Sequence, residues 1–216
     1  MKNSTLFGAL ALSLTAFTAP GAVIISNLPF GNPGIVSNAF AVNLNVAAGF
    51  SMPAGPNYSL DSVTLELTLF SSFSGVTVSL YGGDSSAPSG AALAVLSNPS
   101  LPAPGTHQPY TFTPAGALTL NASSNYWIVL DGAGSSSSSV EWSAGSAAPP
   151  TGLATFLGQR QAAALPPTTP MTLGNNLIAA FEVNGTSQAT NGQVPEPGTI
   201  TLLGAGFAAL AFLRRR

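Results

Sequence analysis

Side chains able to do acid–base chemistry are few in this chain. Between its two ends it carries one histidine, His107, and six carboxylates, Asp61, Glu66, Asp84, Asp131, Glu141 and Glu182. A serine-hydrolase triad would need that histidine beside a serine and an acid. Serine is abundant, but no Gly-x-Ser-x-Gly elbow occurs. His107 falls in a Pro-rich stretch between Pro104 and Pro109 and reads as an exposed loop histidine. Glycoside hydrolysis would need two carboxylates flanking the scissile bond. The six acids qualify by type alone, and most sit in strand or turn contexts where solvation explains them. Asp84 and Asp131 adjoin glycines in turns, where Ca²⁺ finds oxygen ligands, but the Asp-x-Asp-x-Asp spacing is absent. A histidine-based zinc site lacks partner histidines. With no cysteine, disulfides, thiol catalysis and Cys-ligated metals are excluded. The expectation is no catalytic residue, no metal and no cofactor.

Aromatic side chains offer a different chemistry, stacking. Trp127, Trp142 and Tyr81, with Tyr110, are the residues that a saccharide-stacking face would use. The competing reading puts the same rings in the core or at its rim, where large apolar groups with one polar handle commonly sit.

A third pattern lies near the end of the sequence. Val194-Pro195-Glu196-Pro197-Gly198-Thr199 precedes an apolar run over 200–213, and Arg214, Arg215 and Arg216 follow it. Two prolines around one glutamate cannot continue a helix, so the segment stays extended and accessible to a processing enzyme. From 198 to 213 there is no charged residue. As a helix this run spans roughly 24 Å at 1.5 Å per residue, against a hydrocarbon core of about 30 Å. It is a marginal span, and the arginines lengthen its reach by extending to the headgroups. A basic cluster directly after an apolar run favours the cytoplasmic side, which leaves Pro195, Glu196 and Pro197 on the outer face. The three parts, in this order, resemble the bacterial PEP-CTERM sorting signal. The resemblance implies recognition of Pro195, Glu196 and Pro197 by an exosortase, a membrane cysteine transpeptidase, with loss of the hydrophobic tail. A plain C-terminal anchor behind a proline-containing linker is the simpler alternative.

Residues 1–21 read as a secretory signal peptide: Lys2 supplies the positive start, 6–17 the apolar core, and Ala19 and Gly21 the small residues before a cut. Signal peptidase is the implied partner, with cuts after Thr18 or Ala22 as alternatives. The charges then separate. Lys2 and the three terminal arginines belong to targeting segments, leaving Arg160 against six acids, or 1 − 6 = −5 for the body. A body this acidic, without a basic patch, excludes nucleic-acid binding.

The elements that must position these residues are strands. Phe40, Val42, Leu44 and Val46 alternate with small or polar residues; so do Val63, Leu65, Leu67 and Leu69, and again Val76, Val78 and Leu80. Leu118 and Leu120 repeat the scheme. Period-two alternation marks strands buried on one face. Tyr126-Trp127-Ile128-Val129-Leu130 is apolar on both faces and suits a central strand, and Phe181 and Val183 close the last one. Phe40, Val63, Leu65, Leu67, Val78, Leu80, Ile128 and Phe181 are the expected core. Turn clusters separate the runs at Gly82-Gly83-Asp84, Ser97-Asn98-Pro99, Pro102-Ala103-Pro104-Gly105 and Gly132-Ala133-Gly134. Residues 143–170 read as loop-rich, with a strand at 153–157. The fold expected is all-β, an antiparallel jelly-roll-like sandwich, flanked by a signal peptide and a transmembrane sorting helix.

The order of these strands, from Ala39-Phe40-Ala41-Val42 through Tyr126-Trp127-Ile128-Val129-Leu130 to Phe181-Glu182-Val183-Asn184-Gly185, is similar to the choice-of-anchor exported domains, subgroup R. That family brings no activity to carry over. The organisation expected is a signal peptide over 1–21, a β domain over 22–185, a linker over 186–193 and a sorting signal over 194–216 with its span at 198–213. The function expected is an exported structural protein of the bacterial surface or extracellular matrix, transiently held in the membrane and then processed. A carbohydrate-binding module for extracellular polysaccharide and a secreted hydrolase are the alternatives.

Overall fold

A computed structural model describes residues 21–29, 45–69, 77–99, 107–131, 140–145, 149–170 and 178–188. Phe40, the stretch 1–20 of the expected signal peptide, and the sorting tail with Pro195, Glu196, Pro197 and Arg214 to Arg216 lie outside the described residues.

The described residues form strands and no helix: β1 (Ala22–Ser26), β2 (Asn45–Ser51), β3 (Tyr58–Leu69), β4 (Thr77–Gly83), β5 (Pro88–Ser97), β6 (His107–Pro114), β7 (Thr119–Leu120), β8 (Asn125–Asp131), β9 (Val140–Trp142), β10 (Ala144–Gly145), β11 (Thr151–Gly152), β12 (Thr155–Ala162), β13 (Thr169–Pro170), β14 (Ile178–Ala179) and β15 (Phe181–Ser187). None of these elements can cross a membrane as a helix. Every pairing is antiparallel. The strands run β11-β1-β15-β3-β6-β5-β4-β8-β2-β12-β13, with β7 and β9 also on β3, as one sheet curled into a half-barrel. A short β10–β14 ladder lies beside it.

The period-two rows decide which face turns inward. On β3, Val63, Leu65 and Leu67 are fully buried, while Thr64, Glu66 and Thr68 point the other way. Val78 and Leu80 on β4, Ile128 on β8 and Phe181 on β15 join them in one core cluster. Each such side chain removed from water contributes about 1.5–3 kcal/mol. The seven described members of the expected core are all fully buried.

β8 lies between β4 and β2, the central position expected of a strand apolar on both faces. Its Tyr126, Ile128 and Leu130 enter the main core. Trp127 and Val129 face outward into a second, smaller cluster with Ala47 and Tyr81.

Two strands depart from the sequence expectation. β5 was not foreseen, because it lacks alternation. Its register with β4 steps from Leu80↔Ala94 to Tyr81↔Ala92 and then to Gly82↔Ser89, so extra residues bulge out, and Gly90 takes a positive φ of 72°. A bulge breaks the period-two pattern by construction. β12 replaces much of the expected loop: it runs from Thr155 to Ala162 and pairs with β2 from Thr155↔Ser51 to Ala162↔Asn45. Gly82 and Gly83 belong to β4, and the turn follows at Asp84. β15 continues to Ser187, into the stretch expected as linker.

Candidate functional site

Three places combine the polar and aromatic groups that the sequence singles out. The first surrounds Trp127. Its cross-strand neighbours are Gly49 on β2 and Tyr81 on β4. Glycine at 49 makes room for the indole, since a Cβ there would stand 2.6 Å from the ring. The indole Nε1 donates to the Asp84 carbonyl at 3.1 Å. The Arg160 guanidinium caps the ring from 5.2 Å, a cation–π contact. Arg160 Nε also donates to the Ser86 carbonyl. This arginine therefore ties β12 to the turn after β4. Asp84 shapes that turn by accepting from Ser86 N (2.7 Å), Ser86 Oγ (2.6 Å) and Ala87 N (2.9 Å). The Ser86 hydroxyl and the two backbone donors hold its carboxyl below the usual aspartate range, with a smaller contribution from the Arg160 charge.

The second is the pair Glu66–His107. Thr68 on β3 faces His107 at the start of β6, and Glu66 Oε1 reaches His107 Nε2 at 3.1 Å. The two side chains are 15% and 25% exposed. This corrects the loop reading of His107: it is the first residue of a strand, mostly covered, and lies against the Glu66 carboxylate. Burial pushes the Glu66 carboxyl above its ordinary value of 4.5, and the nearby His107 pulls it partly back. Glu141, opposite Thr68 on the other side of β3, is buried as well, so it is not the solvated carboxylate that its sequence context suggested.

The third is Trp142 on β9. It is fully buried in the main core, and its Nε1 donates to the Ala180 carbonyl at 2.8 Å. Here β15 hands over to β9 along β3. Glu66 N donates to Ala180 O, Ala180 N to Ser143 O, and Ser143 N to Glu66 O, so the junction is closed by backbone bonds. Asn27 completes it by accepting from Phe181 N and donating to Ala179 O.

These positions correct the stacking reading of the three aromatics. Trp127 and Trp142 are fully buried and Tyr81 is 7% exposed. Trp127 and Tyr81 sit on the outer cluster while Trp142 sits in the main core, so the three rings form no common face. Tyr110, the fourth ring, is buried in the main core too. Among the described residues the exposed large apolar side chains are instead Val23, Leu93, Val95, Leu153 and Leu165, all aliphatic. Among the described residues no group of three or more His, Asp or Glu is arranged to hold a metal ion.

The sorting residues follow the last described strand. β15 ends at Ser187, and a family profile described as the PEP-CTERM protein-sorting motif matches residues 193–216. That match contains Pro195, Glu196, Pro197 and the three arginines. The motif implies exosortase-dependent processing of an exported protein and its sorting to the cell surface. No curated protein matches the chain.

Proposed function

We propose that the chain is an exported structural protein of a bacterial surface or extracellular matrix, delivered by removable segments at both ends. The carrying observation is the sorting motif over 193–216, which follows a β domain whose last described strand ends at Ser187. In this reading residues 1–21 are removed by signal peptidase. The apolar run over 198–213 holds the protein transiently in the membrane, and an exosortase reads Pro195, Glu196 and Pro197 and removes the tail. The basic cluster Arg214, Arg215 and Arg216 sets the orientation.

The domain between them acts as a scaffold and not as an enzyme. Its single histidine, lack of cysteine and single arginine support that reading. So do the partners of His107 and Arg160, which engage them within the fold. We read the curled sheet as a sandwich of jelly-roll type, in the manner of the choice-of-anchor domains. Support comes from one core cluster that gathers β3, β6 and β15 with β2, β4 and β8. The link between β5 and β6 supports it too, with Leu96↔Pro114 and Ser97↔Thr113 as its described pairs.

Intact-mass measurement of the protein recovered from the surface of a host carrying an exosortase tests the proposal. The expected mass lacks both ends. A mature protein that still carries 213–216 would sink the processing reading and leave a plain C-terminal anchor.

A further inference from the structure

We propose that Asp61 is the receptor for the α-ammonium of Ala22, the charge created when the leader is cut after Gly21. This rests on the exported reading with residues 1–21 removed. The geometry is local. A Cβ on Gly21 would stand 2.9 Å from Asp61 Oδ2 and 3.9 Å from Thr186 Oγ1. Thr186 Oγ1 itself donates to the same Oδ2 at 2.7 Å. Carboxylate and hydroxyl thus converge beside Gly21, the residue next to the cut, where β1 enters the sheet, with Ala22 opposite Gly185 on β15 and Gly185 opposite Leu60 on β3.

Cleavage changes the chemistry at this point. Water adds across the Gly21–Ala22 amide; Gly21 leaves as a carboxylate, and Ala22 keeps the nitrogen, which is protonated at neutral pH. A neutral N–H with one proton becomes an ammonium with three. The small residue that the peptidase requires at the cut is also the residue whose missing side chain leaves Asp61 room.

The body offers Asp61 no competing side-chain cation. Arg160 is its sole Lys or Arg, and it lies over Trp127. His107 is partnered with Glu66. Of the strands packed on β1, β11 carries no titratable group. β15 carries Glu182, which accepts from Ser26 Oγ and Asn184 Nδ2 toward the far end of β1. The new terminus is therefore the cation that completes Asp61, and processing fastens the first strand to the third across β15.

The test uses the protein secreted by its exporting host, with the start of the mature chain read by N-terminal sequencing. The α-amine is then titrated through the pH dependence of its acylation, in wild type and in Asp61→Asn. A free terminus titrates at about 7.7–8.0. The proposal expects a wild-type value above that, and roughly threefold faster acylation of Asp61→Asn at pH 7, the size of effect an exposed ion pair gives. Identical acylation of the two proteins overturns it. In wild type alone, salt raised from ~0.01 to ~1 M should lower the amine's value by shortening the Debye length; no salt dependence also overturns it. A mature chain starting elsewhere than Ala22 refutes the pairing but leaves export standing. A chain that retains Met1 refutes removal of the leader, the part of the exported reading on which the pairing rests.

Discussion

Gly49 and the Trp127 indole occupy neighbouring positions on β2 and β8, and a Cβ at 49 would approach the ring to 2.6 Å. The glycine acts here through its missing side chain and not through an unusual backbone angle. Gly49→Ala should lift the indole away from Gly49 and toward Arg160, and cost about 1–3 kcal/mol, the range for overpacking. Urea denaturation measures the loss. Red-shifted tryptophan emission in the folded variant should accompany it, because the ring would gain contact with water.

Glu66 gives the fold a pH dependence with a definite sign. Burial raises its carboxyl above 4.5, so the folded chain holds that proton more tightly than the unfolded one. Its favourable contribution is complete below the unfolded value and is lost as pH rises through the raised folded value. Glu66→Gln should flatten this part of the curve. Urea midpoints for both proteins at half-unit steps from pH 4 to 7 check it, and parallel curves would count against the assignment.

Trp142 donates from a fully buried indole to Ala180 O, where β15 gives way to β9. Trp142→Phe keeps a ring in the core but withdraws that donor. The expected loss is about 1–3 kcal/mol, toward the lower end because Glu66 N still serves the same carbonyl at 3.1 Å. Leu65→Ala, which empties space in the same core without touching a hydrogen bond, should cost about 2–5 kcal/mol. Thermal unfolding monitored by circular dichroism ranks the two.

For the tail, Glu196→Gln preserves size and most hydrogen bonding while deleting the charge. A pocket that reads this carboxylate through a charge-assisted bond loses about 1.5–3 kcal/mol. Processing should slow, and full-length protein should accumulate in the membrane fraction. Replacing Arg214, Arg215 and Arg216 with alanine should act earlier, on orientation and retention. Pulse-labelling with fractionation separates the two, and equal processing rates for wild type and Glu196→Gln would remove Glu196 from recognition.

Alternation made the core legible where strands are regular. Leu65 and Leu67 on β3, and the doubly apolar β8, occupy the places their spacing predicts. β5 escaped because bulges around Leu93 and Gly90 destroy the period. Only the start of β12 falls in the strand expected at 153–157; the rest carries Gly158, Gln159, Arg160 and Gln161, a run that reads as polar loop, although Gln159 is buried and its Oε1 accepts from Ala179 N. His107 was misjudged for a related reason: flanking prolines signal a loop, whereas Pro109 sits within β6 opposite Glu66. The sorting motif was readable without any fold, since its parts follow one another within residues 193–216. The burial of Trp127 was not, because it depends on Gly49 and Arg160 arriving from two other strands.

β15 is the strand that leads to the tail, and it lies between β1 and β3, paired on both sides. A pull on the chain beyond Ser187 acts along β15, nearly at right angles to its ladder bonds. Many of those bonds must then slide together, instead of opening one after another as on an edge strand. A load applied at that end would therefore meet resistance from two ladders at once, and the described strands would hold together against it.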